Sequence, residues 1–157
     1  MACCQQENVQ QQLNVTVCCK ADIKWQEKIC KALGIKDAKA TLVPCNPNDS
    51  AQIWVKLEAD IGVVKGFLLL NTNLTMALSH GTNAGEVVVL VDYNGVPDDS
   101  LLWVECGNNK EGFMGIGVAN NTNLRLDVAQ NEEGITLVLQ TSDEEKDSQF
   151  WQISSYP

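Results

Sequence analysis

The sequence predicts an all-β chain made of three copies of one unit, and three observations carry that expectation. First, Trp54, Trp103 and Trp151 recur at intervals of 49 and then 48 residues, closing the related stretches "DSAQIW", "DDSLLW" and "DSQFW". A period of that length holds several short strands. Second, "KGFLLLNTNLTMAL" and "EGFMGIGVANNTNLRLDV" both place Gly-Phe (Gly66-Phe67, Gly112-Phe113) ahead of a polar turn containing Thr-Asn-Leu. Third, a Gly-containing turn and an apolar run follow in each unit, "ATLVPC", "EVVVLVDY" and "ITLVLQT", of the composition that strands favour.

Taken in order, the first unit opens with a strand at Val15 to Cys18, continues with one at Lys28 to Cys30, and reaches Trp54 through "ATLVPC". The second and third units repeat this with their Gly-Phe strand, a strand after the polar turn, the third apolar run and the Trp strand. Only "QEKICKALG" has a helical look. The expected organisation is one domain over residues 1–157, with units at about 13–60, 61–107 and 108–157 behind an N-terminal tail, 1–12. No unit can bury its own apolar face, so three must close around a shared axis, with the three indoles as equivalent core residues.

Bulk properties narrow the function. A formal charge of −9 repels phosphate backbones, and the lysines between Lys20 and Lys39 are interleaved with Asp22, Glu27 and Asp37, so nucleic acid is not an expected partner. No apolar run reaches the length of about 18 residues that a membrane helix needs, so no membrane insertion is expected. "MACCQQENVQQQ" lacks the basic and apolar segments of a secretory leader, so a cytoplasmic protein is expected. Were the chain secreted instead, Asn14, Asn48, Asn73 and Asn120 would be glycosylation candidates. Seven cysteines, an odd number with no C-x-x-C spacing, fit reduced thiols better than a zinc site or a closed set of bridges. Cys3 and Cys4 are the palmitoylation candidates. No metal and no cofactor is expected.

Three units of this length, each ending in Q-x-W or a relic of it, resemble the ricin-B-like β-trefoil lectins over about residues 13 to 155. "QIW" and "QFW" match the motif, while the middle unit has "LLW", with Leu101 in place of Gln. The third unit carries the fullest match, since "LDV" precedes its Q-x-W strand. The resemblance implies a carbohydrate-binding protein for glycans or glycoproteins, galactose or N-acetylgalactosamine most often. A sugar presents hydroxyls and one apolar ring face, so its site needs a carboxylate, an amide or hydroxyl, and an apolar platform.

In the third unit the resemblance implies Asp127 as the carboxylate, Gln149 as the group holding it, Ser148 beside it, and Thr141 at the platform position with Leu139 as its neighbour. The middle unit offers a second, partial site at Tyr93 and Asp92, but its carboxylate position aligns with Ala77. In the first unit Gln52 remains, while the carboxylate position aligns with Cys30 and the platform with Pro44. Trp25 lies outside the repeat, as a barrel-end packing residue or an exposed stacking surface.

No enzyme is expected. The one histidine, His80, sits in the Gly-rich turn "LSHGTNAG", no nucleophile, metal or phosphate-loop motif is present, and the pairs Asp98-Asp99, Glu132-Glu133 and Glu144-Glu145 read as solvated turns. Two rivals to the lectin share the fold. One is a trefoil protease inhibitor acting through "VPCNPNDS" or "YNGVPDDS", and the other is a trefoil with lost sugar sites that binds a protein partner. With one weak site per chain, a homodimer would supply avidity.

Overall fold

The computed structural model describes residues 12–20, 31–132 and 134–156. Among them run twelve strands and three single-turn 3-10 helices. The strands are β1 (Gln12–Cys19), β2 (Lys31–Lys36), β3 (Lys39–Pro44), β4 (Trp54–Ile61), β5 (Val64–Leu70), β6 (Met76–Ser79), β7 (Val89–Asp92), β8 (Trp103–Lys110), β9 (Phe113–Val118), β10 (Asn121–Asn131), β11 (Gly134–Thr141) and β12 (Phe150–Ser155). Each Trp strand (β4, β8, β12) is entered through a 3-10 turn, at Ser50–Gln52, Asp99–Leu101 and Asp147–Gln149.

Six strands close on themselves. β1 pairs β4, β4 pairs β5, β5 pairs β8, β8 pairs β9, β9 pairs β12, and β12 returns to β1, every pair antiparallel. Closure leaves the six barrel strands themselves without a free edge. The remaining strands form three hairpins, β2-β3, β6-β7 and β10-β11, that cover one end of the barrel. The hairpins meet one another, with Thr41 Oγ1 donating to the Ile135 carbonyl at 3.1 Å and Val87 bridging to Val138. This is a β-trefoil of three four-strand units.

The pseudo-threefold interior is carried by tryptophan. Trp54, Trp103 and Trp151 are at most 1% exposed and belong to one apolar cluster. Each indole N–H donates to a leucine carbonyl on its own unit's hairpin: Trp54 to Leu33 at 2.9 Å, Trp103 to Leu78 at 3.1 Å and Trp151 to Leu126 at 3.1 Å. The indole therefore does two things, filling the core and tying the Trp strand to the hairpin above it. In β1 the alternation places Val15, Val17 and Cys19 inside, as a one-sided strand requires.

Two sequence readings change. The Gly-Phe pairs are not equivalent: Gly112 is in the β8-β9 turn at φ 93°, where glycine is favoured. Gly66 is inside β5, where an added Cβ would lie 2.4 Å from the Trp103 carbonyl oxygen. Lys31 to Gly34, the end of the helix-like stretch, are in strand β2. The strand expected at Lys28 to Cys30, residues 1–11 of the proposed tail and Trp25 lie outside the described residues, while Gln12, the last tail residue, begins β1.

Candidate functional site

The third unit builds its site from the 3-10 turn. Gln149, the last residue of that turn, is buried, donates through Nε2 to the Thr141 carbonyl at 3.0 Å and accepts at Oε1 from the Asp143 N–H at 2.8 Å. Gln52 repeats both bonds in the first unit, to the Pro44 carbonyl at 2.9 Å and from Asn46 N–H at 2.8 Å. One glutamine amide thus fixes the loop between the third hairpin strand and the Trp strand. In the middle unit Leu101 occupies that place and packs instead into a second apolar cluster with Leu70, Ala77 and Leu102.

In the third unit the glutamine reaches a buried carboxylate on the hairpin, whereas Gln52 Nε2 meets only the Asp49 carboxylate of its own turn, at 3.4 Å. Gln149 Nε2 also donates to Asp127 Oδ2 at 3.1 Å, the Val128 N–H donates to Oδ1 at 2.6 Å, and Lys146 Nζ donates to Oδ2 at 2.8 Å. The Asp127 side chain is fully buried while the Lys146 side chain is 47% exposed. Burial alone pushes the Asp127 carboxyl up. The hydrogen bonds from Lys146, Ser148, the Val128 N–H and Gln149 outweigh it and hold the group below the ordinary aspartate value.

This arrangement corrects the sequence reading of the carboxylate. Asp127 does not face outward; it is an anchor under an ammonium group, and what the unit shows to solvent is a cation. An ammonium carries three donors, so two remain when one is bonded to Asp127. Such a group donates to hydroxyl, ring or carboxylate oxygens rather than accepting from hydroxyls. Thr141 is exposed at the end of β11 and Ser148 is half-buried beside the pair. Leu139 is a second correction: it is fully buried in the central core against Trp151, so its side chain offers no surface to a ligand.

Lys146 escaped the sequence reading, although a signal existed. Asp49 and Asp98 cap the first two 3-10 turns, each accepting from a backbone N–H two residues on at 2.9 Å. Lys146 stands at that position in the third unit, makes no capping bond and turns to Asp127 instead.

The indole acceptors also realign the other units. Leu33, Leu78 and Leu126 correspond, so the residues matching Asp127 are Gly34 and Ser79, not Cys30 and Ala77. Ala77 is fully buried in the second cluster, and Cys30 is outside the described residues. A Cβ at Gly34 would lie 2.8 Å from Val43 Cγ2 and 3.3 Å from Gln52 Cγ, so that unit has no room for a carboxylate. At the partial middle site Tyr93 packs half-buried against the second cluster and Asp92 is exposed at the end of β7.

Other singled-out groups have structural settings. His80 is buried edge-on to Trp103, ring centroids 4.8 Å apart, with Nδ1 and Nε2 each 2.9 Å from a carbonyl oxygen, of Gly81 and Leu102. Glu144 is not a freely solvated turn residue: Oε1 is 3.8 Å from buried Arg125, and its backbone carbonyl accepts from Lys110. Cys45 is disulfide-bonded, where reduced thiols were expected.

No protein-family model matches the chain. Named relatives do. The chain is 30% identical over 159 residues to the ricin B-like lectin R40G3 of Oryza sativa subsp. japonica, covering 92% of this chain and 74% of that protein. It is 34% identical over 137 residues to the ricin B-like lectin EULS3 of Arabidopsis thaliana, covering 77% of this chain and 42% of the relative. The chain thus spans about two fifths of the length of EULS3 and of the related rice lectin R40C1. Among solved structures, the Polyporus squamosus lectin bound to a human-type influenza-binding epitope superposes at TM-score 0.66 and 12% identity, over 94% of this chain and 50% of that one. A non-toxic homologue of type II RIPs from Momordica charantia, in complex with α-methyl-D-galactoside, superposes at 0.56 and 15% identity, over 92% and 48%.

Proposed function

The chain belongs to the ricin B-like lectins, and on that premise we propose that it is a non-catalytic carbohydrate-binding module whose third unit engages sugar oxygens through the Lys146 ammonium. One observation carries the reading: the chain of bonds from Gln149 and Lys146 to the buried Asp127 carboxylate. The carboxylate and the glutamine fix the lysine head group, so less rotamer freedom is lost when a ligand arrives. Thr141, exposed at the end of β11, adds a hydroxyl, and Ser148 helps to hold the Asp127 carboxylate.

Galactose or N-acetylgalactosamine is the sugar class proposed, supported by the family and by the galactoside complex of the Momordica charantia neighbour. The relatives are named as lectins, in keeping with binding without chemistry on the ligand.

The test is a glycan array followed by titration of the best ligand into the wild type, Lys146→Ala and Asp127→Asn. A charge-assisted hydrogen bond is worth about 1.5–3 kcal/mol, so losing the ammonium should weaken binding about tenfold or more. Asp127→Asn should weaken it less, by loosening the lysine. Tighter binding by Lys146→Ala would contradict the ammonium reading and identify the lysine as a plug over an acidic site.

A further inference from the structure

A concave site lies where the middle and third units meet, and neither Asp127 nor Lys146 lines it. Its volume is about 230 Å³, and it is bounded by the end of β6, the second 3-10 turn and the β9-β10 turn. The floor is apolar, formed by the His80 ring, Val118 and Leu124. The rim is polar and carries Asp99, Asn120 and Asn121. We propose that this junction pocket is a second carbohydrate site, sized for one sugar ring.

The residue types meet the chemistry of a sugar more fully than the third unit does. A carboxylate accepts from neighbouring hydroxyls, side-chain amides donate and accept beside it, and an apolar floor covers the ring face. Asp98 takes both capping bonds of the turn, from the Ser100 N–H and hydroxyl, and no donor among the described residues is bonded to the Asp99 carboxylate. Both Asp99 and Asn120 are exposed. The volume is just under the range of about 300–1,000 Å³ for drug-sized ligands, which suits one ring rather than an extended chain.

The pocket is also held in shape before any ligand binds. The His80 N–H donates to the Ser100 carbonyl at 2.8 Å, its Nε2 lies 2.9 Å from the Leu102 carbonyl oxygen, and the Ala119 N–H donates to that same carbonyl at 3.2 Å. These bonds join all three bounding segments. At the positions matching His80, the other units carry Ile35 and Val128, partly buried against the core. Only the middle unit places a hydrogen-bonded ring there.

This inference rests on the carbohydrate reading but not on the third-unit site, and one experiment separates them. Amide spectra of the 15N-labelled full chain are recorded against methyl glycosides of galactose, N-acetylgalactosamine, glucose, mannose and fucose. Saturable shifts are expected at Gly81, Thr82, Asn120 and Asn121, weakened at least tenfold by the near-isosteric Asp99→Asn, with Asp143 to Ser148 unaffected by that substitution. Shifts confined to Asp143 to Ser148 would overturn the junction pocket and leave the third-unit reading standing. Shifts at the pocket alone would support it and remove the third-unit site, and no shift with any glycoside would overturn both. Unchanged pocket binding by Asp99→Asn would overturn the role given to the carboxylate.

Discussion

Asp127 shows how one side chain changes role when it is buried. Both of its oxygens face donors, and an ionised carboxylate accepts at both. Asparagine would turn one of those acceptors into a donor, set against the Val128 N–H or against the Lys146 and Gln149 donors. Asp127→Asn should therefore cost about 1–3 kcal/mol in urea unfolding at neutral pH. The sign of the pH dependence follows from a carboxyl held below its ordinary value. The folded state binds that proton more weakly than the unfolded chain, so the group's contribution is complete above the unfolded value of about 3.9 and is lost as pH falls through the folded one. The wild-type advantage over Asp127→Asn should persist from neutral pH to about pH 4 and shrink below it, whereas an advantage that disappears between pH 5 and 7 would rule the mechanism out.

The elements that differ between units are short and polar, and they decide which unit can carry a site. The three 3-10 turns share a backbone course, but two are capped by aspartate and the third begins with Lys146. Asp49→Ala and Asp98→Ala should each lower stability by about 0.5–1 kcal/mol through loss of the cap, without altering the Asp127 site. A loss at Asp98 with none at Asp49 would mean that the turns are not equivalent. The same scale explains what the sequence revealed and what it hid. Q-x-W marked the turns because Gln52 and Gln149 make the same two loop bonds. The alignment with Cys30 missed Gly34 because β2-β3 is shorter than β10-β11, so its Leu33 acceptor lies 21 residues before Trp54, against 25 in the other units; Ala77 lay two residues from Ser79 in a unit whose spacing equals the third's. Leu139 was placed at the surface by its nearness to Thr141 along β11, and the register there is unbroken, but sharing a face is not sharing a depth: Leu139 lies in the core and Thr141 ends the strand at the surface. Lys146 was passed over because a surface lysine ordinarily signals solubility, and only its departure from two aspartates marked it.

At the scale of the whole molecule, the barrel is a device for holding three different loop sets on one rigid frame. The fold was legible because a core residue as large as tryptophan cannot drift in a repeat whose units share one interior, and its period survives when surface motifs do not. The binding surface was less legible, since the junction pocket assembles residues from two units and no single-unit motif spells it. Both proposed sites depend on the same interior: Trp103 and Trp151 each fix the hairpin whose end forms a site wall. The most direct measurement is hydrogen exchange at the indole N–H groups of Trp54, Trp103 and Trp151, assigned by single Trp→Phe variants. Three protons that exchange together, with the free energy of global unfolding, are the expected result. One indole exchanging at the rate of a solvent-exposed side chain while the others stay protected would contradict a shared threefold interior.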